Sequence, residues 1–267
     1  MQVVLKEFDL RFGGIDGASS VPALRTVQRE VEHLSRLQHP CLIAPDLFFV
    51  EPCGSNGAAD SVPAATGGAV LVYVQFPWYP TDMERWLATE EATADCGAAA
   101  RVVALDVLRG LEHVHRHGVV HCDVKPANVL ITERSDGPGG VRRGVLSDFD
   151  LSLDQAGRMQ LSVASMSRAA ASLAGGRGTP GALSMAPEVA AGRTPTDKSD
   201  VYSLGGILLR IACPAEANRW AAAPEADRWG RDGEPLLRLG SDTGEVGLVV
   251  SLLRQCPAAR PTCAEAL

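Results

Sequence analysis

The chain has 267 residues, 46% of them hydrophobic and 21% charged, and a formal net charge of −7. That length can bury a large core, in one domain or two closely packed lobes, and the composition excludes wholesale disorder. The acidic balance gives no basic footprint for nucleic acid or for an anionic membrane. In chain order, Gln2–Phe8 reads as a strand and Gly13–Ser20 as a loop. From Val21 to Gln38, Leu24, Val27, Val31, Leu34 and Leu37 recur at helical spacing, and His39-Pro40 stops the helix. Leu42–Val50 and Ala69–Phe76 read as strands around a Gly/Ala/Ser/Pro-rich surface insertion, Glu51–Gly68.

Helical character begins after Pro77, first in Met83–Ala88. A long helix follows over Ala98–His117, carrying Val102, Leu105, Leu108 and Leu111. Strands over Val129–Thr132 and Gly144–Ser147 flank a turn at Ser135–Gly140. Ala156–Gly178 is of low complexity, and helical patterns return at Lys198–Ala212 and Val246–Cys256. Strands early and helices late imply an α+β chain with a sheet-rich part and a helical part.

The seven cysteines form no CxxC pair and do not cluster with histidine. They fit reduced thiols better than a disulfide framework or a zinc site. No apolar run reaches the ~18 residues of a membrane-spanning helix, and the start MQVVLKEFDL is no signal peptide. The expectation is a cytoplasmic or nuclear protein without membrane or nucleic-acid partners.

Chemistry concentrates in His121-Cys122-Asp123-Val124-Lys125-Pro126-Ala127-Asn128, between a long helix and a strand, and in Asp148-Phe149-Asp150 after the next strand. These stretches resemble the catalytic loop H-R-D-L-K-P-x-N and the D-F-G triplet of eukaryotic-type protein kinases. Gly178-Thr179-Pro180-Gly181, Met185-Ala186-Pro187-Glu188, Asp200-Val201-Tyr202-Ser203-Leu204-Gly205 and Arg260-Pro261-Thr262 resemble further kinase motifs, in the same order. Val3-Val4-Leu5-Lys6 resembles the V-A-I-K strand, and Arg29-Glu30-Val31 the helix that supplies its glutamate partner. The resemblance covers nearly the whole chain.

It implies a two-lobed fold, with residues 1–77 a partial small lobe beginning at the V-A-I-K strand and 78–267 the large helical lobe. It implies transfer of the γ-phosphate of ATP to serine or threonine hydroxyls of a protein substrate. That reaction is governed by positioning and electrostatic stabilisation of charge on the phosphate oxygens. By resemblance, Asp123 takes the proton of the attacking hydroxyl and Lys125 faces the γ-phosphate. Asn128 and Asp148 offer hard oxygen ligands to Mg²⁺. Lys6, paired with Glu30, holds the α- and β-phosphates, while Val4, Val74 and Gln75 surround the adenine. Lys125-Pro126 and Thr179 are of the serine/threonine type.

Taken alone, Lys6 reads as a solvated lysine, and Glu30 as part of a charged face with Arg29, Glu32 and Arg36. His121 and Phe149 read as packed core. His113, His115 and His117 read as a solvated helix end, because side chains two apart on a helix diverge. Asp123, Asn128 and Asp148 have no such bland reading, since polar groups in apolar surroundings need partners.

Three departures stand out. Cys122 replaces the arginine that anchors a phosphorylated activation loop, and Asp150 replaces glycine. No G-x-G-x-x-G precedes Lys6, so the chain reads either as a fragment of a longer protein, with possible additional domains upstream, or as a natural truncation with weakened ATP binding. The rival reading is a pseudokinase or scaffold module with little phosphotransfer.

Overall fold

The computed structural model describes residues 2–11, 28, 31–53, 69–89, 98–132, 142–154, 183, 185–224, 227–237 and 244–267. The chain divides into two compact units, one of residues 1–38 and 43–78, the other of 39–42 and 79–267. It is α+β.

The first unit is built on an antiparallel sheet of β1 (Val3–Arg11), β2 (Leu47–Cys53) and β3 (Ala69–Pro77), ordered β1–β3–β2. Val, Leu, Tyr and Phe fill the central strand, as suits a pleated, paired surface. Register sets Lys6 opposite Val74, Val4 opposite Phe76, and Leu5 and Leu47 opposite Gln75. β1 runs three residues beyond the predicted Phe8, because β3 offers partners as far as Ala69 opposite Arg11.

The apolar run Leu42–Val50 does not form one strand. Leu42 makes a lone parallel bridge to Leu146 in the second unit, and the β2 ladder begins only at Leu47. Pro45 carries no N–H and interrupts pairing; Asp46 then donates its N–H to the Gln75 carbonyl at 2.8 Å. Residues 31–36 are helical, and that helix ends before His39-Pro40. The loop 13–20, the first part of the predicted helix (21–27), the insertion from 54 to 68, the turn 135–140 and the segment 156–178 lie outside the described residues.

In the second unit, β4 (Thr81–Asp82) leads into α1 (Met83–Leu87), whose N-cap Asp82 accepts the Arg85 N–H at 2.9 Å. α2 (Ala98–Arg116) buries Val103, Val107, Leu108, Leu111 and Val114. Of the residues read as its apolar positions, Leu108 and Leu111 are buried and Val102 is half-buried, while Leu105 remains 38% exposed. Packing against the Gly144–Leu146 strand, where Gly144 meets Val103, covers one side of the helix and leaves Leu105 outside it. Gly118, at φ 71°, ends the helix in a conformation that glycine adopts without strain.

β5 (Val119–Val120) pairs with β8 (Leu153–Asp154), and β6 (Val129–Ile131) lies between β4 and β7 (Gly144–Leu146). These short strands frame the catalytic-loop segment. α3 (Pro187–Ala190) precedes α4 (Asp197–Ala212), which a Thr196/Ser199 capping box starts. α5 (Pro214–Ala222), α6 (Gly244–Leu252) and α7 (Cys263–Ala266) follow. Leu183, Tyr202, Leu209, Trp220, Trp229 and Leu253 form a core around α4. A Cβ at Gly206 would lie 2.4 Å from the Leu183 carbonyl oxygen, so only glycine permits that approach.

Candidate active site

The loop after β5 is fixed from below by α4. Asp200, fully buried near the start of that helix, accepts the backbone N–H of His121 at 2.8 Å and of Cys122 at 2.9 Å. Those two bonds set the backbone immediately before Asp123, with Cys122 held at φ 68°. The Cys122 thiol is buried and donates to the Val120 carbonyl, so this position supplies no cation.

His121 is core, as its residue type and setting implied. Its ring is buried; Nδ1 accepts the Asp123 N–H at 3.3 Å, which places the ring proton on Nε2, 3.1 Å from the Ser147 carbonyl. Phe149 packs against it with ring centroids 4.8 Å apart. This histidine therefore ties the loop bearing Asp123 to the segment bearing Asp148.

Asp123, Lys125 and Asn128 meet at one carboxylate. Lys125 Nζ lies 2.7 Å from Asp123 Oδ2, and Asn128 Nδ2 donates to the same oxygen at 3.0 Å and to the Asp123 carbonyl at 2.8 Å. The 3₁₀ turn Pro126–Asn128 places the amide, and Ser147 closes the arrangement by donating N–H and Oγ–H to the Asn128 carbonyl at 2.9 and 3.0 Å. Asp123 Oδ1 is buried and has no hydrogen-bond partner among the described residues. An unpaired oxygen on a buried carboxylate is costly, and such oxygens concentrate where chemistry is done.

Asp148 follows Ser147 directly, exposed to solvent and at φ 65°, a left-handed conformation unusual outside glycine. Backbone strain of this kind gathers at functional sites. Ser152 N–H and Oγ–H both donate to the Phe149 carbonyl, at 3.1 and 2.5 Å, and fix the turn beyond.

The remaining site residues named from sequence belong to the first unit. Val74 is fully buried on the central strand, Gln75 is half-buried and Val4 exposed. Lys6 Nζ lies 5.2 Å from the centroid of the Phe8 ring. Glu30 lies outside the described residues.

Two residues important to this site were not singled out from sequence. Asp200 was seen only as part of a motif, although a carboxylate leading into Val201-Tyr202-Ser203-Leu204 must find buried donors. His115 is not at a solvated helix end: Nε2 lies 2.9 Å from Asp200 Oδ2 and Nδ1 3.4 Å from Cys263 Sγ. Burial opposes its charge, but those hydrogen bonds prevail and its pKa is pushed up to about 10. His113 does stack with His39 and lies against His117, at centroid distances of 5.0 and 4.3 Å. Burial, and then the neighbouring rings, hold the His113 pKa below its ordinary value. Among the described residues no group of three or more His, Cys, Asp or Glu side chains could hold a metal ion.

Farther from the loop, two of the remaining motifs join. Glu188 accepts from Arg260 Nη1 and Nη2 at 2.7 and 2.9 Å and from Ser199 Oγ at 2.9 Å, and the guanidinium lies over the Tyr202 ring.

The chain is 33% identical over 186 residues to the DNA damage-responsive serine/threonine-protein kinase RqkA of Deinococcus radiodurans, covering 69% of this chain and 23% of that protein. It is 36% identical over 131 residues to the serine/threonine-protein kinase PkaB of Streptomyces coelicolor, covering 49% of this chain and 27% of that protein. With mitogen-activated protein kinase kinase kinase 17 of Arabidopsis thaliana the identity is 28% over 198 residues, 73% of this chain and 43% of that protein. The chain thus spans less than half the length of these relatives. The protein kinase domain family matches residues 15–267, a stretch that contains the Asp123 loop, Asp148, Asp200 and the Glu188–Arg260 pair but begins after Lys6. On that match, nearly end to end, the chain belongs to the protein kinase domain family.

Proposed function

We propose that this chain transfers the γ-phosphoryl group of ATP to serine or threonine hydroxyls of a protein substrate. The observation that carries the reading is the Asp123 carboxylate, with one oxygen locked by Lys125 and Asn128 and the other buried and without a hydrogen-bond partner among the described residues. Such a group can accept a proton without first shedding a partner. Asp123 Oδ1 takes the proton of the substrate hydroxyl as its oxygen bonds to phosphorus and the bond to ADP breaks. Lys125 lies beside the same carboxylate, 2.7 Å from its Oδ2, and offers positive charge to the transferring phosphate.

The donor set fits magnesium. Both N–H groups used by Asn128 point to Asp123, which leaves its amide oxygen, and Asp148 presents an exposed carboxylate. These are hard oxygen ligands of the kind Mg²⁺ prefers. Bound there, the ion supplies charge neutralisation on the phosphates. In the first unit we assign Lys6, with Glu30, to the α- and β-phosphates, and Val4, Val74 and Gln75 to the adenine. Residues 1–77 then correspond to the small lobe and 78–267 to the large lobe. The serine/threonine preference is supported by Lys125-Pro126 and by the names of the relatives. Among the described residues no helix is long and apolar enough to cross a membrane, and we assign no membrane or nucleic-acid partner.

Asp123→Asn tests the reading. Phosphate transfer from ATP to a general serine/threonine substrate should fall by ~10²–10⁴-fold, the usual worth of a positioned acid–base group. ATP affinity should change little. Unchanged turnover would remove Asp123 from this role.

A further inference from the structure

Among the described residues Asp200 receives three donors, two of them from the catalytic loop. The third is His115 Nε2, on α2. The other nitrogen of that ring meets Cys263 Sγ on α7 at 3.4 Å. Three helices distant in sequence therefore close on one imidazole. Its side chain is 11% exposed, that of Asp200 2%, and Cys263 2%, so water competes weakly for either nitrogen.

The groups facing the ring are Asp200 from α4 and Cys263 from α7. On its own helix, Glu112 and Arg116 pair with each other at 3.5 Å. On α7, Glu265 is taken up by the N–H and Oγ of Thr262 at 2.7 and 2.9 Å. A doubly protonated ring has two N–H donors and needs two acceptors. The carboxylate provides one and the sulfur lone pair the other. Without the sulfur, one N–H is buried unpaired, and the ring can relieve this only by rotating away from Asp200 or by losing its proton.

We propose that Cys263 is a positioning residue for phosphotransfer: its sulfur fixes the His115 ring, which holds Asp200 and, through it, the His121–Cys122 backbone that carries Asp123. This rests on the phosphotransfer reading. Cys263 touches no reacting atom. Its effect reaches the site through a chain of contacts of 3.4, 2.9, 2.8 and 2.9 Å.

A cysteine that merely fills the core would behave differently on substitution, and two variants separate the cases. Cys263→Val keeps apolar bulk but offers no acceptor; Cys263→Ser keeps an acceptor and is smaller and more polar. Packing alone predicts that valine is tolerated better than serine. The positioning role predicts the reverse. In the full chain, Cys263→Val should lower kcat by about 3- to 10-fold, the range of coupling through intervening residues, with the KM for ATP unchanged. The alkaline limb of its kcat profile should move to lower pH. Cys263→Ser should restore activity to within about twofold.

The backbone amide resonances of His121 and Cys122 should shift in Cys263→Val and remain in place in Cys263→Ser. If Cys263→Val does not fold, Cys263→Ala, smaller and equally without an acceptor, takes its place in the comparison. Wild-type kcat and unmoved amides in the acceptor-free variant, or a serine variant worse than it, would overturn the proposal. The amide shifts need no turnover. A wild-type chain that fails to phosphorylate any substrate would therefore sink the phosphotransfer reading, while the Cys263 link is still decided by the resonances.

Discussion

The charge on His115 sets how folding responds to alkali. Burial disfavours the protonated ring, yet hydrogen bonds to Asp200 and Cys263 push its pKa up to about 10, whereas in an unfolded chain a histidine titrates near ~6.5. Between those values the folded state holds a proton that the unfolded state has released. The stabilisation from this group is therefore present in full below about 6.5 and is lost as pH rises through about 10. Urea midpoints measured at several pH values should fall across that window, and His115→Gln should flatten the fall. Identical slopes in the two proteins would mean that the ring is neutral in the folded state. Asp123 and Asn128 were legible as buried polar groups because short polar side chains in apolar surroundings demand partners, whereas Asp148 is exposed and stood out by resemblance alone. The identity of those partners was not legible. His121 and Asp200 are 79 positions apart, and no periodicity connects them.

Among the elements, the link between α3 and the turn Pro257–Ala259 is a buried ion pair. Arg260 donates to both Glu188 oxygens and to the carbonyls of Lys198, Arg254 and Gln255, so each of the five guanidinium N–H groups has an acceptor. Burial raises the cost of the Glu188 charge, and the Arg260 guanidinium with the Ser199 hydroxyl more than offsets it, holding the carboxyl below its ordinary value. Its contribution is thus present above the ordinary carboxylate range and lost as pH falls through the lowered pKa, opposite in sign to that of His115. Arg260→Met should leave Glu188 buried without its cation and cost ~3–5 kcal/mol. The double change Glu188→Leu with Arg260→Met should recover most of that in urea titrations. A double variant no more stable than the single one would show that the carbonyl contacts, not the pair, hold this joint. The long helices α2 and α4 were legible within a residue or two, since their patterns extend over several turns. The two-residue strands β4, β5 and β8 carry no period at all, and α5 was hidden because Ala-rich stretches flanked by prolines show no apolar stripe.

At the level of the whole chain, the two units bury apolar side chains unequally. In the second unit Val103, Val107, Leu111, Leu204 and Leu252 are completely enclosed, whereas Leu5, Leu47 and Val50 of the first are half or more exposed. Segments with few buried apolar contacts open at low free energy, so amides of β1 and β2 should exchange with deuterium faster than those of α2 and α4. Lys6, Val4, Val74 and Gln75 are the nucleotide contacts proposed for the first unit, and Asp123, Lys125, Asn128 and Asp148 those proposed for the second. A ligand that binds only the folded state stabilises it by ~2.7 kcal/mol at a hundred times its Kd. If the assignment of Lys6 and its neighbours is right, Mg-ATP should slow exchange in β1 and β3 as well as in β5, β6 and β7. Chelating the magnesium with EDTA should weaken both effects together, because the phosphates would then lack the cation that Asn128 and Asp148 are proposed to hold. Protection confined to the second unit would strike Lys6, Val4, Val74 and Gln75 from the site while leaving the Asp123 carboxylate in place.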